Sequence, residues 1–303
     1  MTKQVRDCPM CGGRPGRSAF PYATRFNDIV FSYLECRDCR SVFVNPIPDD
    51  KTFELMYAKD AYHDCHYADG ANKADQDRKA YAQSAKQLKG ALPSGSLVLD
   101  YGCGVGGFLV ALHEEGLVPF GIEFDEGAAA HAAERSEAEV YSVDGFGRLM
   151  PKPRFDAIHL GDVLEHLPHP EETLHGLLEL LKPGGILFVE GPIEKNASPV
   201  YFAARLFGAF KRQFKPTIVT TPPTHLFRVD SKVQREFLER IAPSAELVSW
   251  SVYETGWPYA EGGGTKRAIA AVAVALGGRR LFGTTFGNRF CGLFRMSAGS
   301  SHV

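Results

Sequence analysis

Residues 97–116 read LVLDYGCGVGGFLVALHEEG. The short apolar run 97–99 reads as a buried strand, and it stops at Asp100. A glycine-rich turn follows. Phe108, Leu109, Ala111 and Leu112 then recur at helical spacing. Strand, glycine turn and helix together form the opening unit of a nucleotide-binding α/β domain. Glycine lets the backbone turn tightly and approach a ligand, and the helix N-terminus faces that ligand.

Gly102, Gly104 and Gly107 satisfy G-x-G-x-x-G. That pattern serves dinucleotides and S-adenosylmethionine alike, and an ordinary tight strand–helix turn also produces it. Asp100 discriminates further. A carboxylate just before the glycines repels a pyrophosphate and suits a cationic amino group.

Downstream, strand and helix alternate. Strands are expected at 118–122 (ending at Glu123), 140–143 (ending at Asp144), 155–160 and 186–189, with helices at 128–135 and 171–181. Such alternation implies a parallel sheet covered on both faces. Glu123 lies about 20 residues past the glycines, where an acid accepts hydrogen bonds from ribose hydroxyls. Residues 199–214 break the rhythm with Tyr201, Phe202, Leu206, Phe207, Phe210 and Phe214 among Arg205, Lys211, Arg212 and Lys215. This amphipathic helix is expected to pack over the site. Peripheral membrane contact through 199–215, or a grip on an acidic substrate, is the alternative. A helix at 233–241 and strands at 246–253 and 267–276 follow. The two strands are expected to form a hairpin that closes the sheet. The Gly-rich, basic stretch 279–303 reads as a loosely ordered tail.

Upstream, Cys8 and Cys11 form CPMC, and Cys36 and Cys39 form CRDC. Two C-x-x-C knuckles suit one tetrahedral Zn²⁺ held by four thiolates, in preference to two disulfides or a redox pair. Residues 1–48 therefore read as a zinc ribbon with β-rich DIVFSYL (28–34), leaving through the stiff Asn45-Pro46-Ile47-Pro48. Residues 49–92 read as a helical cap or linker. Its stretch AYHDCHYADG (61–70) either covers the cofactor with tyrosines or packs as a surface loop. The core domain then spans 93–278, with an insertion at 194–228.

The 303-residue chain carries a net charge of −2, with 44% hydrophobic and 23% charged residues. Nothing global attracts polyanions, so nucleic acid is not the expected partner. The N-terminus lacks the apolar core of a signal peptide, and a cytoplasmic location is the default.

These residues resemble a known family. LDYGCGVGGF (99–108) is similar to the first motif of class I S-adenosylmethionine-dependent methyltransferases, and GIEFD (121–125) to their ribose-binding acidic motif. The segment 155–192 resembles their fourth strand, following helix and fifth strand. PPTHLFRVD (222–230), CPMCGG…CRDC and VNPIP resemble features of the subgroup that acts on small molecules and carries a zinc-ribbon leader. The resemblance implies a Rossmann-like, doubly wound seven-stranded sheet of order 3-2-1-4-5-7-6 with the last strand antiparallel. It also implies that Asp100, Gly102 and Gly104 hold the methionine end of the cofactor and that Glu123 binds its ribose. Asp144 and Gly145 would lie by the adenine, although the Gly-Phe-Gly after Asp144 is a loose match. Leu160 and Gly161, within 159–162, would line the groove where substrate meets the methyl group.

Displacement at a sulfonium methyl needs position above all, and an oxygen or carbon acceptor also needs a proton removed. His166 in LEHL and His225 in PPTHLF are the candidate bases, with Glu165 as an orienting group. Asp162, Glu165, His166 and His169 recur at offsets of three and four and form an alternative metal set. A hydrogen-bonded Glu165–His166 pair with a purely structural role is the bland alternative. The leading expectation is methylation of a sugar, lipid-linked or specialised metabolite. A zinc-ribbon RNA methyltransferase, using Arg6, Arg14, Arg17, Arg25, Arg37 and Arg40, is the second. A nicotinamide enzyme or a non-catalytic nucleotide-binding module is the third.

Overall fold

The computed structural model describes residues 7–57, 71–214 and 218–298. The aromatic stretch 61–70, and with it the proposed cofactor cap, lies outside the described residues.

Three N-terminal strands, β1 (Pro15–Phe26), β2 (Ile29–Cys36) and β3 (Val42–Asn45), form an antiparallel ribbon. Helices α1 (Asp50–Tyr57) and α2 (Ala71–Lys89) lead to β4 (Leu97–Tyr101), the first strand of the main sheet. There follow α3 (Gly107–Glu114), β5 (Val118–Glu123), α4 (Glu126–Ser136), β6 (Glu139–Ser142) and the short α5 (Val143–Gly147). Next come β7 (Phe155–Gly161), a single 3-10 turn (Leu164–His166), α6 (Pro170–Leu178) and β8 (Leu181–Pro192). The C-terminal third holds α7 (Pro199–Phe214), β9 (Phe227–Arg228), α8 (Ser231–Ile241), β10 (Glu246–Tyr253) and α9 (Gly264–Leu276). A small hairpin of β11 (Arg280–Leu281) and β12 (Thr284–Thr285) precedes β13 (Arg289–Arg295).

The main sheet has seven strands in the order β10-β13-β8-β7-β4-β5-β6. Counting only its own members from β4, this is 3-2-1-4-5-7-6. The β4, β5, β6, β7 and β8 pairings are parallel, and β13 runs antiparallel to both neighbours. The expected fold class is therefore the observed one.

Two expectations about its last strands are overturned. Residues 267–276 belong to helix α9, not to a strand. The run AIAAVAVAL alternates in a strand-like way, but it is rich in alanine, the best helix former. Its Ala270 and Ala273 share one face and pack with Val200, Ala203 and Ala204 of α7. The true closing strand is β13, inside the stretch 279–303 expected to be a loose tail. Phe290, Cys291, Leu293 and Phe294 are buried there. The scattered aromatics of that stretch are core residues, and β13 is wedged between β8 and β10.

The ribbon is not an isolated module. Phe227 of β9 pairs with Phe43, making a fourth strand on the ribbon sheet. Phe43, Val44, Leu226, Phe227 and Val229 share one apolar cluster with β7 and β8 residues such as Ile158 and Leu187. Lys195 Nζ meets Glu35 Oε1 at 2.7 Å across the same junction. The insertion thus serves as mortar between ribbon and sheet. Helix α7 packs on α9 and β1, and its aromatic face is exposed instead of lying over the site.

Candidate functional site

Parallel strands deliver their carboxyl ends to one edge of the sheet, the usual ligand-binding edge of such folds. The turn after β4 reaches that edge with Gly102, Gly104 and Gly106 all at positive φ (+81°, +52° and +78°). A Cβ on Gly102 would stand 2.5 Å from Val163 Cγ2, whereas one on Gly104 would meet nothing within 4 Å. The turn is therefore pressed against the segment after β7 on one side and open on the other. A backbone hollow of this kind admits a nucleoside ligand.

Glu123, at the end of β5, closes the hollow. Its Oε2 accepts from Gly104 N at 2.8 Å, and its Oε1 from Phe124 N (2.7 Å) and Asp125 N (3.1 Å). Burial raises its pKa despite those donors. A carboxylate has about four acceptor positions, so capacity remains for a ribose hydroxyl. Asp144 and Gly145 stand on the same edge, in the first turn of α5, where Ser142 Oγ caps Gly145 N at 3.1 Å. Leu160 is fully buried, backbone included.

Asp100 already has a partner inside the protein. Its side chain is buried, and its Oδ1 lies 2.7 Å from His159 Nδ1, its register partner on β7. On the other side of the ring, His159 Nε2 lies 3.3 Å from Glu190 Oε1, and Ser84 Oγ donates to Glu190 at 3.0 Å. Burial works against the charged ring, but the two carboxylates outweigh it and hold the imidazole up at about 9. Asp100 therefore acts first as an internal counter-ion, and one oxygen at most is left for a ligand's amino group.

A second cluster sits beside the glycine turn, two residues beyond Val163. His166 Nδ1 donates to Thr224 O at 2.6 Å, which leaves the lone pair on Nε2, and that atom lies 3.7 Å from Glu165 Oε1. The His166 and His225 rings meet edge to face at 4.8 Å. His225 Nδ1 lies 3.1 Å and Arg228 Nε 3.3 Å from Glu194 Oε2, ion-pair contacts without hydrogen-bond alignment. Burial raises the Glu194 carboxyl, yet Arg228 and His225 pull it down to about 2. Burial lowers the His225 imidazole, and Glu194 reverses the effect, so its pKa is raised overall. Burial, with His225 beside it, drops His166 to about 3. Burial and the Asp162 carboxylate raise Glu165 to about 8. Asp162 is tied to Arg289 Nη2 at 2.7 Å, and Arg289 Nε donates to Tyr253 Oη at 3.1 Å.

The structure thus brings His225 to the adjacent pair Glu165 and His166, from elsewhere in the chain. His169 stands outside this cluster: the donor set that converges is Glu165, His166 and His225, with ligand atoms all within 4.8 Å of one another. Glu165 Oε1 is buried without a hydrogen-bond partner. Sequence reasoning missed Glu190, Glu194 and Arg289. The first two had a usable signal, being acids at and just past the carboxyl end of a strand.

The four ribbon cysteines also converge. Cys8 Sγ and Cys39 Sγ are 3.8 Å apart, and Cys11 Sγ and Cys36 Sγ 3.7 Å, far beyond a disulfide bond. A tetrahedron with Zn–S bonds of about 2.3 Å has edges of about 3.8 Å, so the donor set fits that ion. Gly13 N and Asp38 N point at Cys11 Sγ and Cys36 Sγ (3.3 and 3.4 Å), as donors supporting thiolates do.

Comparison with known proteins gives a matching assignment. Residues 74–221 match the family model described as a methyltransferase domain. The ubiquinone biosynthesis O-methyltransferase of Coxiella burnetii is 29% identical over 163 residues, covering 52% of this chain and 62% of the relative. The protein of the same name from Xanthomonas campestris is 31% identical over 167 residues, with 53% and 62% covered. The matched region thus spans about three fifths of these relatives' length. Among solved structures, magnesium protoporphyrin IX methyltransferase from Synechocystis PCC 6803 aligns over 76% of this chain and 91% of its own, at 16% identity and a TM-score of 0.49.

Proposed function

We propose that residues 74–221, which match a methyltransferase-domain model, form a class I methyltransferase domain, and that this protein transfers a methyl group from S-adenosylmethionine to a small-molecule acceptor. Bound there, the cofactor supplies a methyl already activated by its sulfonium. The chain's own residues supply position. The turn 102–104 holds the amino-acid end, Glu123 takes the ribose, and Asp144 and Gly145 flank the base. The backbone at Gly161 borders the path to the acceptor. By its position before the turn, Asp100 orients this end of the pocket through His159.

Acceptor deprotonation falls to His225. Its Nδ1 lies at ion-pair distance from Glu194, which stabilises the imidazolium formed when Nε2 takes the acceptor's proton. His166 is the poorer base, because its Nδ1 faces a neutral carbonyl and burial resists its charging. An oxygen acceptor, in a sugar, lipid-linked or specialised metabolite, is favoured by the names of the matched relatives. The four cysteines are proposed to hold a structural Zn²⁺ that stiffens the ribbon.

The observation that carries this reading is the open hollow at Gly104, bordered by Glu123 at the carboxyl edge of the sheet. Calorimetry with S-adenosylmethionine against NAD tests it, and saturable binding of NAD alone would overturn it. With an acceptor in hand, His225→Ala should retain cofactor binding and slow transfer by about 10²–10⁴-fold. Undiminished transfer would remove His225 as base.

The orphaned Glu165 Oε1 favours one second reading. A divalent cation held by Glu165, His166 and His225 would polarise the acceptor itself. The outer partners Thr224 O and Glu194 are placed as second-layer supports of histidine ligands. Transfer that is lost in chelator and restored by Mg²⁺ or Mn²⁺ would select this reading, and chelator-insensitive transfer would select the base.

A further inference from the structure

Helix α7 leaves an aromatic face in solvent. Phe202, Leu206, Phe207 and Phe210 are 53%, 70%, 55% and 64% exposed. Spaced at four, five and eight residues from Phe202, they form one stripe along the helix. The opposite side is committed elsewhere: Val200, Ala203 and Ala204 pack with α9, and Gly208 sits against Phe20 of β1. Two further apolar residues are exposed beyond the helix. Ile218 and Val219 are exposed on the strand-like segment that bonds to β1 through Arg25 N and Val219 O at 2.9 Å. Large exposed apolar patches of this kind mark interaction surfaces.

Charge identifies the occupant. Residues 199–215 hold four Lys and Arg and no Asp or Glu, in a chain whose net charge is −2. Arg205 and Arg25 are exposed at the edge of the stripe. A narrow apolar stripe without hydrogen-bonding groups, set in a basic surround, matches the interface of an anionic bilayer: acyl chains take the aromatics and headgroups take the cations. A protein partner would instead require a polar rim with matched hydrogen bonds. No helix among the described residues is long and apolar enough to cross a membrane. Helix α7, about 24 Å long, would therefore lie along the surface.

We propose that α7 and the adjoining residues 218–219 dock this protein onto anionic lipid surfaces. Glu194 lies five residues before α7 in the chain. Resting on the methyltransferase reading, the docking deepens it: the acceptor class would be amphiphilic and presented from the lipid phase.

The test needs neither cofactor nor acceptor, so it fails independently of the enzymatic reading. Purified protein is floated with vesicles of equal phosphatidylglycerol and phosphatidylcholine, and with phosphatidylcholine alone. Wild type should float with the anionic vesicles, less at high salt, and poorly with the neutral ones. Leu206→Glu/Phe210→Glu, at solvent-facing positions, should keep its circular dichroism and thermal transition while its partition coefficient falls about a hundredfold. Wild type that stays unbound to anionic vesicles would overturn the proposal. So would a concentration-dependent dimer, seen by light scattering and abolished by the same variant, since the face would then be a subunit contact.

Discussion

Replacing His159 by glutamine probes the charge relay under the glycine turn. The ring is 2% exposed and stands between Asp100 and Glu190. Burial disfavours its charge, yet the two carboxylates raise its pKa from 6.5 to about 9. A pKa raised in the folded state adds stability that is complete below the unfolded value and fades as pH passes the folded one. At about 1.4 kcal/mol per pH unit of displacement, the ring's contribution is roughly 3 kcal/mol. It should be present in full below pH 6.5 and largely gone above pH 9. Glutamine cannot carry the charge, and it leaves two buried carboxylates facing each other. Breaking a buried pair by removing one partner destabilises by about 3–5 kcal/mol. Urea denaturation from pH 6 to pH 9.5 is the assay. Wild type should lose stability across this window, and the gap to His159→Gln should narrow by roughly 3 kcal/mol as pH rises. Comparing the two proteins cancels other titrating groups, His225 included. A gap that stays constant with pH would show that the ring is neutral in the folded protein and refute the relay.

The same relay makes Asp100→Ala a double lesion: weakened cofactor binding in calorimetry, together with a stability loss of about 3 kcal/mol. An unchanged melting transition would contradict the second effect. Gly102→Ala combines a φ of +81° with a Cβ 2.5 Å from Val163. It should cost about 1–3 kcal/mol and reduce cofactor affinity, and wild-type behaviour in both would refute the tight turn. Truncation after residue 278 removes β13 and should give insoluble protein, and Phe294→Ala should destabilise by about 3–5 kcal/mol in urea; a soluble, folded truncation would refute the wedged strand. Elemental analysis should find one zinc per chain, with Cys36→Ser losing both the metal and several degrees of thermal stability. A metal-free wild type that melts unchanged would refute the ribbon site.

Much of the fold was legible in order along the chain. Residues 97–116 carry their strand, turn and helix in local periodicity, and the order of acids and glycines after them spaces the remaining parallel strands. The closing strand was not legible. Residues 267–276 and 289–295 both carry apolar runs, and only packing tells them apart. Alanines fit helix α9 against α7, whereas Phe290 and Phe294 have a slot between β8 and β10. At the site, residue types pointed to His166, His225 and Glu165, but not to Glu194, the carboxylate beside His225.

By itself the sequence determined what short-range physics encodes. The glycine turn follows from backbone freedom, the cysteine knuckles from ligand spacing, and the α/β alternation from hydrophobic period. Tertiary structure alone decided which charges face one another. Asp100 meets His159, His225 meets Glu194 and Asp162 meets Arg289 over separations of 31 to 127 residues. Their energies depend on distance and on burial away from water, and neither exists until the sheet has brought its strand ends together.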